Sequence, residues 1–363
     1  MAEPAGAGER RRVARRRWLR LAPFASTLLA GCGGALAPTG REAGAAATIW
    51  WVMFAIAAVV FLAVVAILVV AVRSRRDERA GPRTEGSSRA EEPAGPVRGV
   101  GEVEAKGPRA AGVPMVLVGG VVLPSVVLAF LLGVTIWSGD DMRREGIDGA
   151  LPIEVVGQQY WWDVRYPDHD VRTANEIHLP VGREVVLELR SDDVIHSIWI
   201  PELAGKLDLV PGTVNRMTLR ADEVGTYRGR CAEFCGLQHA RMRLDVVVHE
   251  PADFDAWAEE ASAPRGTPTD EALFRGWETF MSSSCVYCHA IEGTPASSEF
   301  GPDLTNLADR ARLAAGVVPN NRGHLAGWIL DPQRIKPGNH MPATWMEPQR
   351  LNELLDYLET LGT

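Results

Sequence analysis

Cys231-Ala-Glu233-Phe-Cys235-Gly-Leu-Gln-His239-Ala-Arg-Met242 sets two thiols, an imidazole and a thioether within twelve residues. Thiolate and thioether are soft ligands that favour copper, and imidazole suits it too. A second imidazole lies upstream in Asp193-Val-Ile-His196-Ser-Ile-Trp199, placed to swing in from a neighbouring loop. A plain disulfide between Cys231 and Cys235 would leave His239 and Met242 without a role. Around these residues the chain reads as short strands, each β-branched or alternating. They run over Ile153–Tyr166, Glu184–Arg190, Asn215–Arg220, Gly225–Arg230 and Arg243–Val248, punctuated by Gly182, Gly212 and Gly225. Strands at such short spacing predict a β-sandwich or barrel.

Past Val248 the pattern changes. Pro251–Ser262 reads as a short helix and Ala263–Thr269 as a linker. Asp270–Met281 has helical periodicity through Leu273, Phe274, Trp277 and Phe280. It leads into Cys285-Val-Tyr-Cys288-His289, the attachment motif for a c-type haem. There the two thiols form thioethers with the haem vinyl groups, and His289 is placed to bind the iron. Leu351, Leu354, Leu355 and Leu358 lie at helical spacing and read as the packing stripe of a closing helix.

The first half of the chain reads as export and anchorage. Arg10 to Arg20 is strongly basic, Leu21 to Leu29 is a short apolar stretch, and Leu29-Ala-Gly-Cys32 follows. That order resembles a bacterial lipoprotein signal, in which cleavage leaves Cys32 as a lipid-modified N-terminus. Ile49–Val72 and Met115–Ile136 are uncharged and long enough to span a bilayer, with Trp50, Trp51 and Trp137 as interfacial aromatics. Pro124 predicts a kink in the second span. The connecting loop carries Arg73, Arg75, Arg76, Arg79, Arg83, Arg89, Arg98, Lys106 and Arg109, which makes it cytoplasmic by the positive-inside rule. Its Gly, Pro, Ser and Glu content predicts disorder. Both chain ends then lie outside the cytoplasm. The net charge of −8 hides an asymmetry: residues 1–150 carry 19 basic and 14 acidic residues, and residues 151–363 carry 19 and 32. An acidic outer half favours cationic partners and argues against nucleic acid.

The pattern Cys-x-Glu-x-Cys-x3-His-x2-Met with an upstream His resembles the dinuclear copper (CuA) site of cytochrome c oxidase subunit II. The resemblance implies that Cys231 and Cys235 bridge two coppers and that His196 and His239 each bind one. It makes Met242 and the Glu233 carbonyl weak ligands, and turns the Glu233 carboxylate toward a magnesium shared with subunit I. It also implies a cupredoxin-like β-barrel with the copper loop between the last two strands. Gly157-Gln-Gln-Tyr160-Trp161-Trp162-Asp-Val-Arg-Tyr166 resembles the family's aromatic segment beside the copper. Tyr160 stands where the family's electron-entry Trp is usual, so Tyr160, Trp161 and Trp162 are all candidates. Lys206-Leu-Asp208-Leu-Val-Pro211-Gly212 resembles a segment facing subunit I, with Thr213 where an Arg is frequent. Leu117 occupies the place of a membrane Glu found in many relatives, so no proton role falls to this chain.

Gly301-Pro-Asp-Leu304, Trp328-Ile-Leu-Asp-Pro332 and Lys336-Pro-Gly-Asn-His340-Met341-Pro342 resemble a class I cytochrome c. Met341 is its candidate sixth ligand, with Met346 and His340 as rivals, since thioether plus imidazole raises a haem potential. All five cysteines are then assigned: one to lipid, two to copper and two to haem.

The implied fold is a membrane-anchored multidomain chain: two transmembrane helices, a cupredoxin-like β-barrel and an all-α cytochrome c domain. The expected divisions are a signal peptide over 1–31 and an anchor over 32–140, with helices at about 49–72 and 115–137. A copper domain over 150–250, a helix and linker over 251–269 and a cytochrome c domain over 270–363 follow. The implied function is electron entry into a haem–copper terminal oxidase of the bacterial plasma membrane, with the redox domains outside. Electrons would pass from cytochrome c, or from a quinol–cytochrome c reductase, through haem c and CuA to haem a of subunit I. Oxygen reduction coupled to proton translocation would occur there, with subunit III alongside. The alternatives are the inlet subunit of a CuA-containing nitric oxide reductase and a copper chaperone. Met242, Glu233 and the haem motif argue against the chaperone.

The mature protein is expected to begin at a diacylglyceryl-modified Cys32, read by intact-mass spectrometry; residues 1–31 retained in the mature chain would contradict this. One lipid adds little to two membrane helices, so Cys32→Ala should impair processing more than attachment.

Overall fold

Alternating burial along Arg243–His249, with Leu244, Val246 and Val248 inward, makes this stretch a strand that shows one face to a core. Nine more strands precede it in the computed structural model, which describes residues 34–79, 112–144 and 149–362. The strands are β1 (Leu151–Gln158), β2 (Trp161–Tyr166), β3 (Val171–Ala174), β4 (Glu176–Pro180) and β5 (Val185–Ser191). They continue as β6 (His196–Trp199), β7 (Leu207–Leu209), β8 (Asn215–Leu219), β9 (Gly225–Cys231) and β10 (Arg243–His249). They form two five-stranded sheets, ordered β3-β2-β1-β5-β8 and β4-β10-β9-β6-β7. Pairing is antiparallel except for β1 with β5 and β4 with β10. Trp162, Leu187, Ile198, Leu244 and Val246 lie between the sheets in a cupredoxin-like arrangement.

The single strand expected over Ile153–Tyr166 is two, because the chain turns at Gln159–Tyr160 and pairs back on itself, Gln158 opposite Trp161. The turn follows Gly157-Gln158-Gln159, which carries none of the Asn-Gly or Asp-Gly signature of a tight hairpin. Ahead of the sandwich, Thr39 and Gly40 donate main-chain hydrogen bonds to Glu202, and Ala43 to Leu203.

After β10, α4 (Pro251–Ala261) places Phe254 in the sandwich core and Trp257 against it. The C-terminal domain holds α5 (Glu271–Met281), α6 (Arg322–Leu330), α7 (Pro332–Ile335) and α8 (Pro348–Leu358). Asp270 caps α5, accepting from the amides of Ala272 and Leu273. Leu354, Leu355 and Leu358 of α8 are buried in the same core as Phe280 and Ile291. One departure from an all-α domain is a short hairpin, β11 (Arg312–Leu313) with β12 (Val318–Pro319). Its tip is not solvent-facing: Ala315 packs with Trp161 and Ala174, and its carbonyl accepts from the Arg243 amide. The Ala263–Thr269 segment is also held, since Arg265 donates to the carbonyl of Thr305 and to the side chain of Asn306. Glu299 pairs with Arg165 and Arg172 of the sandwich at 3.0 and 3.3 Å, and both arginines clasp the buried Asp163.

Residues 48–144 form a separate unit. Its helices are α1 (Arg41–Arg79, beginning in the first unit), α2 (Gly112–Leu117) and α3 (Leu123–Arg144), the last two joined by a π turn at Val118–Val122. Two spans, Arg41–Arg73 and Val118–Trp137, are long and apolar enough to cross a membrane. The irregularity expected at Pro124 takes the form of the π turn just before it: proline has no N–H for the carbonyl four residues back. The expected signal sequence over 1–31, Cys32 and most of the loop between the spans lie outside the described residues.

Leu187 is fully buried on β5, an inner strand of its sheet between β1 and β8. Leu187→Ala should cost the sandwich about 2–5 kcal/mol, read by guanidinium denaturation with tryptophan fluorescence; an unmoved midpoint would contradict its buried place.

Candidate metal centres

The period of two along β9 turns Tyr227, Gly229 and Cys231 inward, so Cys231 ends its strand facing the core. Ile198 of β6 pairs with Cys231, and His196 stands two residues before it on the same face. The loop after Cys231 is fixed at both ends: the Cys231 amide donates to Met242 O at 2.9 Å, and Ala232 to Ser197 O at 2.8 Å. It closes through a 3-10 turn at His239–Arg241.

Five side chains and one carbonyl converge there. The Cys231 and Cys235 sulfurs are 3.8 Å apart. His196 Nδ1 lies 3.9 Å from Cys231 Sγ, and His239 Nδ1 lies 3.9 Å from Cys235 Sγ. Met242 Sδ, fully buried, is 3.9 Å from Cys235 Sγ, and Glu233 O is 3.1 Å from Cys231 Sγ. Among the described residues, His196, Cys231 and Cys235 form the group able to hold a metal ion. The Cys235 thiol hydrogen-bonds Cys231 and lowers its pKa, burial opposing, while the same coupling raises Cys235. One thiolate is thus already favoured at neutral pH, as a soft-metal ligand must be. The donor set, two sulfurs between two imidazoles with a thioether and a carbonyl beside them, fits copper.

A further shell went unread in the sequence. Asp193 Oδ1 is 2.8 Å from His196 Nε2, which fixes Nε2–H as donor and leaves Nδ1 toward the sulfur. Burial disfavours the imidazolium, yet Asp193 and Cys231 together outweigh it and raise the His196 pKa. Gln159 spans the site, its amide N–H donating to Asp193 at 2.6 Å and its side chain to Cys235 O at 2.5 Å. Gly157 makes room for the ring: a Cβ there would sit 2.8 Å from His196 Cδ2. The Glu233 carboxylate lies 3.6 Å from Lys206 Nζ, with Asp208 beside the same lysine.

The three aromatic candidates occupy different places. Trp162 is fully buried, 6.1 Å from the His196 ring. Trp161 packs against Ala315 of the helical domain. Tyr160 accepts a hydrogen bond from the Leu237 amide and lies 6.1 Å from His340, centroid to centroid.

In the helical domain, Cys285 and Cys288 lie on and just after a 3-10 turn, and the amides of Cys288 and His289 both donate to Cys285 O. Both thiols are free. His289 Nδ1 donates to Pro302 O at 2.7 Å, which leaves Nε2 as the ring's lone-pair nitrogen for iron. Burial lowers its pKa, favouring the neutral ligand form. A Cβ on Gly301 would stand 2.9 Å from His289 Cε1, so the Gly301-Pro302 approach needs glycine. Tyr287, Phe300 and Trp345, close in sequence to His289 or Met341, expose 74%, 85% and 81% of their surface, apolar area that suits a macrocycle. Met341 is half-buried, its amide donating to Asn339 Oδ1, whereas Met346 packs on the apolar core.

A β-sandwich whose soft donors fit copper, joined to a helical domain with a Cys-x2-Cys-His turn and to two candidate membrane spans, has the build of a membrane-anchored electron-transfer subunit. A family profile described as "Cytochrome C oxidase subunit II, periplasmic domain" matches residues 169–250, and one described as "Cytochrome c" matches residues 275–362. Cytochrome c oxidase subunit 2 of Alkalihalophilus pseudofirmus is 38% identical over 246 residues, 66% of this chain and 71% of that one. The Bacillus subtilis protein of that name is 32% identical over 260 residues, 69% of this chain and 72% of its own. The crystal structure of the periplasmic domain of subunit II of cytochrome oxidase from Bradyrhizobium japonicum is 30% identical, covering 31% of this chain and 92% of that one, at a TM-score of 0.30.

The chain belongs to the cytochrome c oxidase subunit II family, with a cytochrome c domain at its C-terminus. The family domains imply copper in the sandwich and haem in the helical domain, a subunit I partner and an extracytoplasmic position for both.

Asp193→Asn keeps the shape but loses the carboxylate that orients His196. It should weaken copper binding about 10–100-fold, read by competitive copper titration; unchanged affinity would remove Asp193 from the site.

Proposed function

We propose that this chain is the electron inlet of a haem–copper terminal oxidase. In this reading Cys231 and Cys235 would supply the shared sulfur ligands of a dinuclear copper, His196 and His239 would hold one copper each, and Met242 and the Glu233 carbonyl would be its weak ligands. Cys285 and Cys288 bind haem covalently, with His289 and Met341 as axial ligands. When bound, these groups supply the one-electron couples by which a cytochrome c or reductase donor feeds haem a of subunit I, where oxygen is reduced to water with proton translocation. The observation that carries the reading is the pair of buried sulfurs 3.8 Å apart, each with an imidazole nitrogen at 3.9 Å.

The chain's own residues do four things. Asp193 and Gln159 hold His196 and the Cys235 carbonyl, so the ligands need little rearrangement between oxidation states. Pro302 O orients His289. Tyr160, between Leu237 and His340, is the ring best placed to connect the two sites, while Trp162 supports His196 from the core. The Glu233 carboxylate, with Lys206 and Asp208, forms the polar face offered to subunit I and its magnesium. Subunit III completes the complex. Cys32 is the lipid-bearing residue, and the signal, anchor, copper and cytochrome c domains follow the divisions given above.

The purified chain should show paramagnetic resonance of one unpaired electron shared over two coppers, and a haem stain that survives denaturing electrophoresis. Cys231→Ser should abolish the first alone, and Cys285→Ala with Cys288→Ala the second alone. An ordinary single-copper signal, or haem extracted by acid acetone, would contradict the reading. Met341→Ala should remove the weak near-infrared band of Met–iron ligation; a band lost instead in Met346→Ala would move the ligand there.

A further inference from the structure

Lys336 is a buried lysine, 2% exposed, at the contact between the sandwich and the helical domain. Its Nζ donates to Tyr160 O at 2.7 Å and to Ala314 O at 3.0 Å. The first acceptor belongs to the aromatic segment beside the copper loop, the second to the hairpin of the helical domain. The residues on either side of Lys336 are held from the copper loop itself. Arg241 Nη1 donates to Ile335 O at 2.9 Å, and Gln238 Nε2 to Pro337 O at 2.5 Å. Gln238 immediately precedes His239, and Arg241 immediately precedes Met242. The ring of contacts closes where Tyr160 accepts from the Leu237 amide.

The same lysine is tied forward to Met341. Asn339 Nδ2 donates to Lys336 O at 2.7 Å, and Asn339 Oδ1 accepts from the Met341 amide at 2.8 Å. A short path of hydrogen bonds thus runs from Tyr160 through Lys336 and Asn339 to the Met341 main chain. We propose that Lys336 is the positioning residue for electron transfer between the two domains, pinning the Lys336–Met341 loop to Tyr160 and the copper loop and so setting the haem-to-copper distance. This rests on the reading of Met341 and the copper ligands given above.

The physical case is the cost of the burial. An ammonium taken out of water is penalised unless its hydrogens are satisfied, and an apolar side chain would fill the space without that penalty. What lysine adds is a long stem with several donors at its tip, able to reach carbonyls in two domains. Burial draws its pKa down to about 7. Whether ammonium or amine, it keeps an N–H for each of its two carbonyls, so the clamp holds in either state. Removing it strips a donor from two carbonyls at the contact. Tunnelling falls steeply with distance, so a small displacement of the loop is felt in the rate.

The test uses the full-length chain. In Lys336→Met, which keeps length and volume, amide hydrogen exchange across 235–242 and 312–319 should rise about tenfold in the metal-free protein as local opening becomes easier. In the loaded protein the copper resonance, haem stain and Met–iron band should persist. Transfer from photoreduced haem to copper should slow about tenfold or more. Unchanged exchange and rate would overturn the proposal. If Lys336→Met does not fold, Arg241→Ala, altered at an exposed position, decides: faster exchange in the same two segments supports the clamp, and unchanged exchange refutes it. Failure of the underlying reading is separate: the unmutated chain would lack the copper or haem signals, while the metal-free exchange still judges Lys336.

Discussion

Bringing the sulfurs of Cys231 and Cys235 to 3.8 Å inside the sandwich is the constraint on which the rest depends. Two buried thiols so close cannot both ionise without a cation between or beside them, and the opposed shifts of their acidities express that conflict. The fold supplies what resolves it. β6 and β9 pair in a register that sets His196 next to Cys231, and the loop returns to β10 with Met242 beneath Cys235. Asp193, Gln159 and Gly157 then fix the imidazole's tautomer, its neighbouring carbonyl and its space. The donor side chains are thus held in place by the fold itself.

The second consequence concerns the C-terminal domain. Its junction is bonded throughout: Glu299 to two arginines, the hairpin tip to β10, Arg265 into its own domain and Lys336 to Tyr160. Because the acceptors at the Lys336 loop are main-chain carbonyls, they persist whatever side chains the loop carries. The Cys285–His289 turn therefore belongs to the same compact unit as the sulfurs.

What the sequence made legible was what is local or periodic. The two thiols, His239 and Met242 lie within one short loop, and Cys285, Cys288 and His289 within another. Alternation in Arg243–Val248 and amphipathic spacing in Asp270–Met281 carry directly into β10 and α5. Strands β3, β4, β6 and β7 were not legible, being three to five residues long with polar members such as Arg172, Glu176 and His178. Asp193 escaped because a carboxylate three residues before a histidine is ordinary until a turn folds one onto the other. Lys336 meets Tyr160 from 176 positions away, and no pattern in either segment announces the meeting. Among the three aromatic rings, only the packing separated Tyr160 at the junction from Trp162 in the core.

The most direct measurement is the metal content of the purified full-length chain, by elemental analysis of copper, zinc and iron in one sample. Two coppers for each covalently bound haem iron is the expected result. A single copper per iron, or zinc in place of copper, would contradict the assignment of a dinuclear centre to His196, Cys231, Cys235 and His239.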